Sequence, residues 1–101
     1  MKDVLITITG LGYRYGTEFL EKGMKVKLVK EPDNEQDAEA IRVEYPGLGK
    51  IGYVANSAKT VIGESYSAGR LYDRIGKKAK AKVLIVLDNA VICKVSKDSL
   101  K

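Results

Sequence analysis

Histidine and tryptophan are absent from this 101-residue chain, and cysteine occurs once. Without histidine the chain lacks the commonest general base and the commonest neutral metal ligand. Cys93 can form no internal disulfide, which suits a reducing compartment, and it has no imidazole partner for nucleophilic catalysis. Its setting, Val91-Ile92-Cys93-Lys94-Val95, reads as a strand, so Cys93 is expected as a small core residue. Long apolar runs are missing as well. The first, Val4 to Ile8, follows Asp3 and is interrupted by Thr7, so it is neither a signal peptide nor a membrane span. A soluble, cytoplasmic chain is expected. No phosphate-loop signature occurs. The run Gly10-x-Gly12-x-x-x-Gly16 has the wrong spacing for a dinucleotide fingerprint and reads as a turn.

What is present is enough for one core. Hydrophobic residues make up 45% of the chain, an ordinary share, and a single domain over residues 1–101 is expected. The net charge of +5 is unevenly placed. Between Lys59 and Lys82 seven bases face only Glu64 and Asp73, and the rest of the chain balances at eleven of each sign. Such asymmetry suits a polyanionic partner, or a solvated face.

Period-two alternation predicts six strands: Val4 to Thr9, Met24 to Lys30, Ala40 to Tyr45, Lys50 to Ala55, Ala79 to Leu87 and Ala90 to Ser96. Pro46-Gly47 and Asp88-Asn89 mark turns, the first closing a hairpin. Phe19 and Leu20 are expected to anchor the segment after the first strand. Val83 to Leu87 is expected to be largely buried, and the tail from Lys97 to Lys101 to fray. Between the fourth and fifth strands Asn56 is expected to cap a helix carrying Ala58, Val61, Ile62 and Ser65, with Gly69 as its stop. A second short helix is expected from Arg70 to Ile75. Tyr66 and Tyr72 fit packing positions on these helices. A small, mostly antiparallel sheet hides its edges best by closing, so the predicted fold is a mostly β, six-stranded small barrel with one or two inserted helices.

The stretch Glu31-Pro32-Asp33-Asn34-Glu35-Gln36-Asp37-Ala38-Glu39 packs carboxylates and amides into a turn ahead of the third strand. Asn and Asp side chains bond back to their own backbone, fixing tight loops and presenting oxygen atoms. An EF-hand reading counted from Asp33 fails at its sixth position, where Ala38 replaces the required glycine. A two-metal nuclease reading of the same acids lacks a specific accompanying base. A solvated acidic turn is the plain alternative. Upstream, Tyr13-Arg14-Tyr15 combines rings on which bases stack with a guanidinium fork for phosphate.

Three pieces in this order resemble the HIRAN domain family: Gly12-Tyr13-Arg14-Tyr15; Leu28-Val29-Lys30-Glu31-Pro32-Asp33-Asn34-x-x-Asp37-x-x-Ala40-Ile41-x-Val43; and Lys50-Ile51-Gly52-Tyr53-Val54. The resemblance spans roughly Val4 to Val86. HIRAN domains occur fused to fork-remodelling helicases and as standalone bacterial or phage proteins, and this chain looks like a standalone one. The resemblance implies an OB-like barrel that binds single-stranded DNA and holds its free 3′ end, in repair or replication-fork processing, without catalysis and without a cofactor or metal. Helicase or repair proteins would be its protein partners. It further implies that Arg14 contacts phosphate, Tyr15 stacks on a base and Asp37 accepts a hydrogen bond from the 3′ hydroxyl. Asn34 would shape the loop or touch the terminal nucleotide, and Tyr53 would face the same pocket. The sequence departs from the family in two places. Gln36 stands where end-binding relatives carry an aromatic residue, leaving its backbone amide to serve. Asn56 stands where a lysine is expected, and Lys59 lies nearly one turn further on. Arg70, Arg74, Lys77 and Lys78 would add sequence-independent phosphate attraction. The alternative is a protein-interaction module that kept the fold and lost end binding.

Overall fold

The computed structural model describes residues 3–10, 19–57 and 59–101. Six antiparallel strands form a closed barrel: β1 (Leu5–Thr9), β2 (Lys25–Lys30), β3 (Ile41–Tyr45), β4 (Gly49–Val54), β5 (Lys78–Val86) and β6 (Val91–Val95). Their order around the barrel is β1-β4-β3-β2-β5-β6, closed by pairing of β6 with β1. Each expected strand is present, with ends that differ by one residue at most. The alternation that predicted them is the burial pattern itself. Val26 and Leu28 on β2, Ile41 and Val43 on β3, and Ala79, Ala81 and Val83 on β5 point inward and are buried. Full burial of such an aliphatic side chain stabilises by about 1.5–3 kcal/mol, which holds each strand in its register. Leu20 is buried and Phe19 meets the Tyr45 ring edge-on at 6.0 Å, so these two residues anchor to the core as expected. Cys93 lies in the core, where burial pushes its thiol up to about 12.

The connection between β4 and β5 differs from expectation. No helix caps on Asn56. Ser57 instead starts a single turn, accepting the Lys59 amide on its hydroxyl at 3.1 Å and the Val61 amide on its carbonyl at 2.9 Å. Gly63 then adopts a left-handed φ of +58°, which ends any helical run. The cause is tertiary. Buried Thr7 on β1 captures the segment through a ring of three hydrogen bonds. The Ile62 amide donates to Thr7 Oγ1 at 3.1 Å, and Ser65 Oγ donates to the Ile62 carbonyl at 2.8 Å. Ser65 has then used its one proton, so Thr7 must donate in the 2.7 Å contact between the two hydroxyls. Tyr66 continues the attachment, its amide bonding to the Leu5 carbonyl at 2.6 Å.

Among the described residues the one α-helix between β4 and β5 is α1 (Ala68–Tyr72), capped by Ser67, whose hydroxyl accepts from the Arg70 amide at 3.2 Å. It begins two residues before the expected Arg70 start, and Gly69 lies inside it rather than stopping the one before. Ala68 and Leu71 plug the barrel end, and Ile75 follows them into the core.

Two further expectations are corrected. The second half of β5 is not buried: Ile85, Val86 and Leu87 are exposed. A register shift between Val83 and Ile85 against β6 breaks the alternation, and the Cα pairing of β5 with β2 ends at Lys82, so the rest of β5 pairs with β6 alone. The C-terminal tail does not fray. Lys97–Ser99 forms a 3-10 turn, Leu100 packs against the core, and the Lys101 amide bonds to the Arg74 carbonyl at 2.8 Å. No described helix is long and apolar enough to cross a membrane.

Candidate nucleic-acid interface

The loop from β2 to β3 is built from its own side chains. The Glu31 amide bonds to the Ala40 carbonyl at 2.8 Å, closing the loop at its base. Asn34 Oδ1 accepts the amides of Gln36 and Asp37 at 2.9 and 3.0 Å, and Asp37 Oδ1 accepts the Glu39 amide at 2.9 Å. These are the local Asx bonds that Asn and Asp favour, and they fix the Asp37 backbone. The second carboxylate oxygen, Asp37 Oδ2, accepts from Asn56 Nδ2 at 2.9 Å. Asn56 Oδ1 in turn accepts the Gly69 amide at 2.7 Å. Asn56 therefore joins the acidic loop to the first turn of α1. A Cβ at Gly69 would come within 2.7 Å of Glu39 Oε1, the end of an exposed side chain that can move aside, and within 3.2 Å of Asn56 Oδ1. Each Asp37 oxygen has one bond, and a carboxylate offers about four acceptor sites, so capacity remains for a hydroxyl donor.

Beneath the loop Glu31 organises a polar cluster. Its Oε1 accepts from Asn34 Nδ2 and from the Tyr53 hydroxyl, both at 3.0 Å. Its Oε2 faces Arg42 Nη1 at 3.4 Å, while Arg42 Nε bonds Glu44 Oε2 at 2.6 Å. Lys50 Nζ donates to the Tyr53 hydroxyl at 3.0 Å and lies 4.9 Å from its ring centre. Burial alone would raise the Glu31 pKa. The bonds from Asn34, Tyr53 and Arg42, with the charge of Lys50, outweigh it and hold the carboxyl below its ordinary value. The hydrogen bond and charge of Glu44, with Glu31 behind them, raise Arg42 against its own burial.

The fold thus brings Asn34, Gln36, Asp37 and Tyr53 onto one shallow cleft of about 200 Å³, with Ala40 and Val54 as its apolar wall. Asp37 is half-buried, and Gln36 is exposed. Asn56 stands beside the cleft through its bond to Asp37. Lys59 is exposed in the turn beyond and does not line it. Arg14 and Tyr15 lie outside the described residues. Among the described residues no group of three His, Cys, Asp or Glu side chains is placed to hold a metal ion.

The basic residues fall in separate places. Arg70 lies 4.2 Å above the Tyr66 ring, and Arg74 donates to the Tyr66 hydroxyl at 3.1 Å. Tyr66, expected only to pack, does pack partly against the core and also serves as a platform for both guanidinium groups. The four-residue steps from Tyr66 to Arg70 to Arg74 were the available signal. Lys77 lines a different cleft with Lys30, Glu31 and Arg42, and Lys78 is exposed at the start of β5. No sequence motif marks the Glu31–Arg42–Glu44 cluster. Its trace there is the i, i+2 pairing of Arg42 and Glu44 on one strand face.

Among curated proteins, none matches the chain. Among solved structures it is similar to the crystal structure of the HIRAN domain of human HLTF, with a TM-score of 0.60 and 17% identity over 92% of this chain and 74% of that one. At that identity the likeness is one of fold. The model of the HIRAN domain matches residues 1–91. That match spans the barrel from β1 into β6 and includes the Asn34–Asp37 loop, and on it the chain belongs to the HIRAN domain family.

Proposed function

We propose that this chain is a non-enzymatic module that binds single-stranded DNA and receives its free 3′ hydroxyl at Asp37. The observation that carries the reading is the half-buried Asp37, its backbone amide held by Asn34 and its carboxylate by the Glu39 amide and Asn56, lining a cleft shared with Tyr53. A hydroxyl needs an acceptor, and Asp37 keeps acceptor capacity. A terminal phosphate in the same place would meet a fixed negative charge. In this reading Arg14 holds phosphate and Tyr15 stacks on a base. Asn34, the Gln36 amide, Tyr53 and Asn56 shape the receptor, and Lys59 approaches the strand from the rim. Arg70, Arg74, Lys77 and Lys78 add attraction that weakens with salt. Family membership supports a nucleic-acid partner, and repair or fork processing, alongside helicase or repair proteins, is the setting we infer.

Fluorescence anisotropy with short single strands differing only at the 3′ terminus tests this. Strands ending in a hydroxyl should bind more tightly than the same strands ending in a phosphate, at every salt concentration. Equal affinity contradicts the assignment.

A second reading, a protein-interaction module, draws on two observations. Gln36 supplies no ring for stacking, and Ile85, Val86 and Leu87 are exposed at the tip of the β5–β6 hairpin. Its signature is the absence of strand binding even at low salt.

A further inference from the structure

The register of β2, β5 and β6 places like charges directly opposite one another. Lys25 pairs with Lys82, Lys82 with Lys94, and Lys27 with Lys80. Five lysines from three strands therefore occupy two adjacent rungs on the outside of the barrel. Neighbouring strands lie about 4.8 Å apart, so the group spans roughly 10 Å across the sheet. Four of the five are exposed and Lys94 is half-buried. Like charges directly opposite on a sheet destabilise it, and Lys82 faces one on each side. None of the five forms a salt bridge with a described residue. Glu44 stands opposite Lys27 on β3, but its carboxylate is bonded to Arg42. Lys97 extends the patch, and Asp98 stands at its edge. A cleft of about 500 Å³ lies among Lys25, Lys80, Lys82 and Lys94, and no aromatic ring lines it.

We propose that this wall binds the phosphate backbone of double-stranded nucleic acid, at a surface separate from the 3′-end cleft. A duplex carries one negative charge per ~1.7 Å of axis with its bases hidden, which suits ammonium groups without rings. Single strands draw much of their affinity from aromatic platforms, and this wall has none. The strand order sets β5 three places from β4 in either direction, so the lysine wall lies across the barrel from Tyr53 and its cleft. One molecule, 29–35 Å across, can then hold a strand end on one side and a duplex on the other. That bridging rests on the function proposed above; the lysine surface does not.

A labelled, covalently closed, relaxed duplex circle separates the two, because it has no ends. The unmodified chain should bind it, with affinity falling about 500-fold between ~50 and ~200 mM salt if five lysines contribute. The triple variant Lys80→Gln, Lys82→Gln, Lys94→Gln should bind far more weakly at ~50 mM salt and lose only about 12-fold over that range. Its melting temperature should equal or exceed that of the parent, because repulsion is relieved. Asp37→Ala should bind the circle as the parent does. No binding of the circle at low salt overturns the proposal, as does a triple variant that binds like the parent. Loss of circle binding in Asp37→Ala, or preference for anionic lipid vesicles over the circle, overturns it too.

Discussion

Asn56 Nδ2 donates to Asp37 Oδ2 at 2.9 Å while Asn56 Oδ1 accepts the Gly69 amide at 2.7 Å. One side chain thus ties the loop before β3 to the helix after β4, across 19 residues on one side and 13 on the other. The consequence is positional. The Asp37 amide is held by Asn34, and its two carboxylate oxygens by the Glu39 amide and by Asn56 beyond the neighbouring strand β4, which together orient the carboxylate.

Asn56→Ala should therefore act on both stability and selectivity. Both bonds are at the surface, so their joint loss should cost about 1 kcal/mol, read as a shift in the urea midpoint. The preference for a 3′ hydroxyl over a 3′ phosphate should fall in the same variant. An unchanged preference would show that Asn56 does not position Asp37.

Gln36 projects from the cleft rim while its backbone amide is held by Asn34. An aromatic side chain there should stack on the terminal base without disturbing the loop. Gln36→Tyr should gain about 1–3 kcal/mol of single-strand affinity, roughly 5- to 150-fold by anisotropy. No gain would place the bound strand elsewhere.

Glu31 gives the loop a pH dependence of definite sign. Its folded-state pKa lies below the ordinary 4.5, so its contribution is present above that value and is lost as pH falls through the lower, folded value. Glu31→Gln should reduce stability at neutral pH and flatten the acid limb of a stability profile measured by denaturant melts. A variant that keeps the parent's acid limb would assign that limb to other groups.

The hydrogen-bonded ring of Thr7, Ile62 and Ser65 explains why helical spacing misled. Ala58, Val61, Ile62 and Ser65 follow helical spacing in the sequence, yet a buried hydroxyl on β1 holds the backbone from Ile62 to Ser65 in a turn. Thr7→Val should leave the Ile62 amide and the Ser65 hydroxyl without that partner, costing about 1–3 kcal/mol. Hydrogen exchange at the Ile62 amide should accelerate more than at the β3 amides.

Strand positions were legible because period-two burial is a local property, and all six strands fall within one residue of expectation. The loop was legible too, since Asn34 and Asp37 bond to amides two and three residues away. What the sequence hid depends on distant partners. The start of α1 is set by Ser67 and by packing under the barrel, and the exposure of Ile85 follows from a register shift against β6. The lysine wall was hidden for the same reason. Counting charge between Lys59 and Lys82 finds Lys80 and Lys82, while Lys25, Lys27 and Lys94 join them only through strand pairing.

The most direct measurement is the ratio of affinities for 3′-hydroxyl and 3′-phosphate strands, taken for the parent chain and for Asp37→Ala. The parent should favour the hydroxyl by about tenfold or more, the scale of one charge-assisted hydrogen bond, and Asp37→Ala should bring the ratio close to one. A parent ratio of one, or a ratio that survives the loss of Asp37, contradicts the account.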